Sequence, residues 1–293
     1  MEVHQLVYLV AVAEEASFSR AAERVGVAQP SLSQQIKKLE DELGTPLLDR
    51  LPRRVVPTAA GERLLGHARR VLAELADARR SLADGRGEIA GTLTVGAIPT
   101  IAPYLLPDLL KRFAVAHPQV QVEVVEDVTA RLVEMLDRAE IDLAVLSTHD
   151  GGPTIHCERV GEEELALLVP ALHRLAKSKA VRWDALAGER FLVLQEMHCL
   201  SGQVSEVCQR QKLRPAVAMR GAQLSTIAEM VSAGLGVSVV PAMMADRDTN
   251  PDRVTRPFAG ERPTREICLA WSLLRYRTRA AKAFEQAVRE RVG

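Results

Sequence analysis

Neither sign of charge is in excess in this chain: Lys and Arg number 38, Asp and Glu 38, and the formal net charge is zero. A molecule basic all over is excluded, so any footprint for nucleic acid has to be local. No run of about 18 apolar residues occurs, and no helix is expected to span a membrane. The apolar stretch Leu6 to Ala13 follows Glu2 and precedes Glu14 and Glu15. An export signal needs a positive leader instead, so this stretch reads as a helix of a folded domain in a cytoplasmic protein. Cysteines are few: Cys157, Cys199, Cys208 and Cys268. In a reducing compartment four cysteines are no disulfide framework, and a pair that does oxidise there is a sensor sooner than a staple. No C-x-x-C spacing exists, and a zinc site from His198, Cys199 and Cys208 would be one ligand short. No metal or other cofactor is expected. Repeats and low-complexity tracts are absent too.

What remains is a chain of 293 residues, 47% of them apolar, enough for two or three domains with large cores. Residues 1–58 read as short helices broken by small turns. Ser19 is the expected N-cap of a helix through Val25, with Gly26 as the turn. A second helix opens with Pro30 at its first position. Along it Leu32, Ile36, Leu39 and Leu43 form a buried stripe, and Gly44 ends it. The opposite face carries Ser31, Ser33, Gln34, Lys37 and Lys38, next to Gln29 and Pro30. Amides and hydroxyls pair with base edges and lysines with phosphates, so this face suits a helix lying in the major groove. Arg50, Arg53 and Arg54 with Val55 and Val56 look like a small hairpin with a basic tip. Between Ser17 and Thr58 seven Lys and Arg face five acids, three of which sit together at Glu40 to Glu42. The bland alternative is a solvated amphipathic helix on an ordinary small domain.

Residues 59–90 hold one long helical pattern. Leu64, Ala68, Val71, Leu75, Ala78 and Leu82 recur in alternating steps of four and three. Such a seam buries itself against another helix, most simply its twin, giving a dimer for paired half-sites. Packing on its own head is the alternative. From residue 91 onward, strands alternate with helices, which implies parallel sheets. Leu93 to Ala97, Val120 to Val125 and Ile141 to Leu146 are strands. Helices run from Ile98-Pro99-Thr100 to Arg112 and from Thr129 to Ala139. Ligands bind at the carboxyl ends of parallel strands, where Thr100 and Thr129 both lie. Leu165 to Val169 and Phe191 to Leu194 look like strands of a second lobe, and Ile267 to Trp271 returns the chain to the first.

The head segments Ser17-Phe18-Ser19-Arg20-Ala21-Ala22, Val27-Ala28-Gln29-Pro30-Ser31-Leu32-Ser33, Leu43-Gly44-Thr45-Pro46-Leu47-Leu48 and Thr58-Ala59-Ala60-Gly61 resemble those of LysR-type transcriptional regulators. More narrowly, Ile98-Pro99-Thr100, Pro103-Tyr104-Leu105-Leu106-Pro107 and His198-Cys199-Leu200 with Gln203 and Cys208 resemble the peroxide-sensing OxyR branch. The resemblance implies an α/β chain with an all-α winged helix-turn-helix head (1–58), a linker and dimerisation helix (59–90) and a two-lobed regulatory domain like that of periplasmic binding proteins (91–293). Lobe I would take 91–162 and 267–293, lobe II 163–266. It further implies a dimer of dimers on double-stranded promoter DNA, with RNA polymerase as a further candidate partner. It implies a hydrogen peroxide pocket from Thr100, Thr129, His198 and Arg265, and a thiol switch in which Cys199 is the peroxidatic and Cys208 the resolving cysteine. Ser201-Gly202 departs from the branch, which usually has an Arg-Asp pair there.

Cys199 follows a strand and precedes a helical segment from Ser201 to Gln211, beside His198. A helix N-terminus and a neighbouring imidazole both favour thiolate. The plain alternative for such a cysteine is an inert buried thiol, which is how Cys157 and Cys268 read. His4, His67 and His117 read as surface or packing residues. Three other functions compete. A regulator of the same fold could bind a small organic effector in the inter-lobe cleft, with no thiol switch. A thiol peroxidase has no reason to carry a recognition helix, so no enzyme is expected. A solute-binding protein would need an export signal.

Overall fold

The structure, a computed structural model, describes residues 1–52, 54–83, 89–147, 151–260 and 262–293. It divides into two units, Met1–Arg86 and Gly87–Gly293.

In the first unit, α1 (Val3–Glu15), α2 (Phe18–Val25) and α3 (Gln29–Leu43) enclose a core of Leu9, Val12, Ala21, Ala22, Leu32, Ile36 and Leu39. The cap of α2 is Ser17, not Ser19: its hydroxyl accepts the N–H of Arg20 and starts the helix earlier. Pro30 is the second residue of α3 and not the first, within the first turn where its missing N–H costs nothing. Leu43 is exposed, because the last turn of α3 runs past the core, and Gly44 closes that turn at φ 66. The wing is an antiparallel hairpin of β1 (Leu48–Leu51) and β2 (Arg54–Pro57). Arg53, expected at the basic tip, lies outside the described residues. Glu40 ties wing to α3 by accepting the N–H groups of Leu47 and Leu48 at 2.7 and 3.2 Å. The long helix α4 (Ala59–Ala83) starts hard against the wing: a Cβ on Gly61 would stand 2.0 Å from the Leu47 carbonyl oxygen. Leu64 and Leu65 pack on the head core, so the first part of the expected seam is taken up within the head. Val71, Leu75 and Leu82 further along are exposed.

The second unit begins with β3 (Gly91–Ala97), α5 (Ala102–Ala116), β4 (Val120–Glu126), α6 (Thr129–Asp137) and β5 (Leu143–Leu146). β3 runs parallel to β4 and β5. Ile98 to Ile101 form a turn, so α5 opens later than the sequence suggests, and α6 ends before Ala139, whose φ is 60. β6 (Ile155–Pro170) is one 16-residue strand that begins in the first lobe and ends in the second. β7 (Arg190–Leu194), α7 (Cys199–Arg210), β8 (Ala216–Gly221), α8 (Leu224–Ser232), β9 (Ser238–Pro241), α9 (Ala242–Ala245) and β10 (Arg253–Pro257) build the second lobe. The chain returns along β11 (Thr264–Ser272) and closes with α10 (Arg279–Val292).

The expectation of parallel sheets holds for β3 with β4 and β5, and for β7 with β8. It fails for β11, which is antiparallel to both β5 and β6. The chain leaves the first lobe along β6 and comes back along β11, so these neighbours must run in opposite directions and the sheet is mixed. Each lobe has its own core, one around Leu93, Val95, Leu143, Val145, Leu269 and Phe284, the other around Leu167, Phe191, Leu192, Ile227, Val240 and Phe258. Among the described residues no helix is long and apolar enough to cross a membrane.

Candidate functional site

Where β3 and β5 end, α6 begins and β6 and β11 cross between the lobes, the chain collects Thr100, Thr129, Cys199 and Arg265. Thr100 is buried in the turn after β3. Thr129 is the first residue of α6 and Cys199 the first of α7, with His198, itself buried, as the N-cap residue. Arg265 is fully enclosed, and its Nη1 donates to Thr100 Oγ1 at 2.7 Å and its Nη2 to the Thr100 carbonyl at 2.9 Å. Its Nε donates to Glu163 Oε1 at 2.6 Å. The Thr129 hydroxyl is buried, meets no hydrogen-bond partner among the described residues, and lies where it would bond and so stabilise a Cys199 thiolate.

The resting thiol is not the low-pKa group expected from the helix start and its imidazole neighbour. Burial pushes Cys199 above the usual thiol value, and the Arg265 charge, the Thr129 hydroxyl and the N–H groups of Leu200 and Cys199 only partly oppose it. A half-buried sulfur packed against apolar side chains of the first lobe explains the direction.

Cys208 lies on α7 with Cys199. Nine residues at about 3.6 per turn and 1.5 Å each put the two on opposite faces, roughly 13 Å apart along the axis. A disulfide needs Cα atoms within about 7 Å. The packing agrees with the periodicity, since Cys199 touches the first lobe's core and Cys208 is buried in the second's. Burial pushes the Cys208 thiol up as well. Gln203, one turn beyond Cys199, donates from Nε2 to Ser147 Oγ at 2.9 Å and so fastens α7 to the end of β5. Cys268 is buried as read from the sequence, whereas Cys157, expected in the core, is half-buried at its edge. Among the described residues no three His, Cys, Asp or Glu side chains are grouped to hold a metal ion.

In the head unit, Gln29, Pro30, Ser31, Gln34 and Lys37 are exposed along α3 and Ser33 is half-buried beside them. Arg50 and Arg54 are exposed on the wing. Arg50 stacks on Phe18, 4.6 Å from the ring centre, and reaches Ser33 Oγ at 3.5 Å, which links wing and α3 into one surface.

Two participants escaped the sequence reading. Glu163 is the ion partner of Arg265, and Ser147 anchors Gln203. The signal for Glu163 was its phase: it lies two and four residues before Leu165 and Leu167 and so shares their inward face.

Comparison with known proteins gives two family matches, "Bacterial regulatory helix-turn-helix protein, lysR family" over residues 3–62 and "LysR substrate binding domain" over residues 86–293. A "Hydrogen peroxide-inducible genes activator" of Pectobacterium carotovorum subsp. carotovorum is 36% identical over 92% of this chain and 90% of that protein. Among solved structures, a full-length OxyR from Pseudomonas aeruginosa with a cysteine-to-aspartate change superposes with a TM-score of 0.84 at 32% identity, covering 99% of this chain and 95% of the other. A Corynebacterium glutamicum OxyR cysteine-to-serine mutant with hydrogen peroxide bound gives a TM-score of 0.63 at 31% identity, covering 98% and 90%.

Proposed function

This chain belongs to the LysR family of bacterial helix-turn-helix regulators, and from that premise we propose that it is a DNA-binding transcriptional regulator that senses hydrogen peroxide through Cys199. The observation that carries the reading is the meeting of Thr100, Thr129 and Arg265 around one thiol, on a helix whose far face holds a second.

Thr100, Thr129, His198 and Arg265 hold the peroxide by hydrogen bonds. The Cys199 thiolate attacks one peroxide oxygen, the O–O bond breaks, and the departing hydroxide takes a proton to leave as water. Sulfur, oxidised by two electrons, becomes a sulfenic acid. The Cys208 thiol then displaces its oxygen, the S–S bond forms and a second water leaves. Because α7 holds the sulfurs apart, this second step requires the helix to unwind and its contacts with both lobes to change. The disulfide is reversible and signals once per oxidation, so the thiol acts as a sensor and not as a turnover catalyst.

Residues 1–58 bind promoter DNA, 59–90 dimerise and 91–293 sense, with Gln29, Pro30, Ser31, Ser33, Gln34 and Lys37 at base edges and phosphates and Arg50, Arg53 and Arg54 on the flanking backbone. Exposure of Gln29, Pro30, Ser31, Gln34, Lys37, Arg50 and Arg54 and the family of the head support the assignment. The working state is a homo-oligomer in the cytoplasm, a dimer through α4 and a tetramer on paired sites.

The test is non-reducing peptide mapping of the reduced protein after one equivalent of hydrogen peroxide. A Cys199–Cys208 cross-link is expected, and Cys199→Ser should form none and lose peroxide-dependent transcription. A normal peroxide response in Cys199→Ser would falsify the reading.

A further inference from the structure

We propose that Glu163 is a positioning residue of the Cys199 site: it holds the Arg265 guanidinium against Thr100 and screens that charge from the sulfur. The inference rests on the peroxide-sensing reading above.

The geometry leaves the guanidinium one posture. Glu163 and Arg265 are direct cross-strand neighbours where β6 and β11 pair. Both side chains are buried, at 6% and 0% exposure, with Arg265 Nη2 2.5 Å from Glu163 Oε1. Buried charges of this kind persist only when paired and fully hydrogen-bonded. Arg265 gives Nε and Nη2 to Glu163 and Nη1 and Nη2 to Thr100, so rotation of the planar fork breaks several bonds together. The other carboxylate oxygen, Oε2, accepts the Met243 N–H at 3.0 Å, which fixes Glu163 to α9 of the second lobe. Its neighbours Glu162 and Glu164 point outward and pair with Arg159 and Arg262, so only the central acid of the three serves the site.

The charges around the sulfur give this pairing its chemical consequence. The Arg265 charge reaches the thiol from β11, with His198 at the N-cap of α7 and the neutral Thr129 on α6. Tyr104 of α5 lies in the field of Arg265, Glu126, Asp248 and Arg253. Arg265 is the strongest influence favouring thiolate, and a carboxylate paired with that guanidinium opposes it. The site therefore keeps a protonated resting thiol while retaining the guanidinium that orients peroxide. A residue that merely braces β6, β11 and α9 would affect stability without affecting thiol ionisation.

The experiment follows Cys199 alkylation by iodoacetamide across the pH range in which thiols ionise, in the reduced full-length protein, read by peptide mass spectrometry. Iodoacetamide reports thiolate without involving peroxide. Glu163→Gln keeps the shape and removes the charge, so the midpoint should fall by about one pH unit. Glu163→Asp keeps the charge but its shorter arm cannot reach both Arg265 and Met243. Its midpoint should stay while its oxidation by hydrogen peroxide slows about tenfold. A midpoint in Glu163→Gln that stays put or rises overturns the proposal. Should that variant not fold, an oxidation rate in Glu163→Asp within about twofold of the parent does so. If the parent's Cys199 is not oxidised by peroxide at all, the proposed function fails, while the alkylation midpoints still judge Glu163.

Discussion

At the scale of single residues, Thr129 is the informative case. A buried hydroxyl without a partner costs about 1–3 kcal/mol, and fold stability gives no reason to keep one. Its place beside Cys199 gives a chemical reason: it can hydrogen-bond the thiolate and not the thiol's apolar surroundings. Thr129→Val removes the hydroxyl at nearly constant shape, so the melting temperature should hold or rise while oxidation by peroxide slows roughly tenfold. Calorimetry and stopped-flow oxidation measure the two halves, and a slower rate accompanied by lower stability contradicts the argument. Because burial raises the Cys199 pKa, thiolate is the minor form at neutrality. The parent's oxidation rate should climb with pH through the ordinary thiol range near about 8.5 without levelling off below it. Thr100, Thr129, His198, Cys199 and Arg265 could be named from short stretches of sequence. Glu163 could not be named that way, since its partner is 102 positions distant and only the pairing of β6 with β11 brings them together.

At the scale of elements, the proposed switch requires α7 to be stable enough to keep two thiols apart and weak enough to unwind. Gly202 supplies the weakness, in the first turns of the helix and with nothing within 4 Å of where a Cβ would stand. A helical Gly is about 1 kcal/mol less favourable than Ala. Gly202→Ala should therefore fit without strain, leave sulfenic acid formation at Cys199 unchanged, and slow disulfide closure about fivefold. The lifetime of the sulfenic acid, trapped with dimedone, reads this directly, and an unchanged lifetime means closure does not wait on the helix. Most elements were legible from period and punctuation, including α3 by its stripe and α4 by its freedom from proline. The misreadings share a cause. Ser17, not Ser19, starts α2, and α5 waits until Ala102, because several adjacent residues could serve and tertiary contacts choose among them. The first half of β6 was not anticipated as strand. It mixes charged residues with Gly161, and pairing with β11 makes it extended where composition gives little indication.

For the whole molecule, the decisive surface is the part of α4 beyond the head. Val71, Leu75 and Leu82 are 44%, 42% and 78% exposed, in a helix that spends its earlier apolar positions on the head core. Apolar side chains at heptad spacing and left in water are stable only when another helix covers them, and the same seam on a second copy is the self-complementary cover. Each copy brings one recognition helix, so in the proposed assembly a dimer would read two half-sites and a monomer one. Leu75→Glu places like charges in register across the proposed seam and should shift the dimer toward monomer, as sedimentation equilibrium will record. The variant should bind an isolated half-site as the parent does, because α3 and the wing are untouched. It should lose at least about a hundredfold in affinity for the paired site, since the second contact is no longer tethered to the first. If Leu75→Glu remains dimeric and keeps that advantage, the subunits are joined elsewhere and the exposed seam has another use.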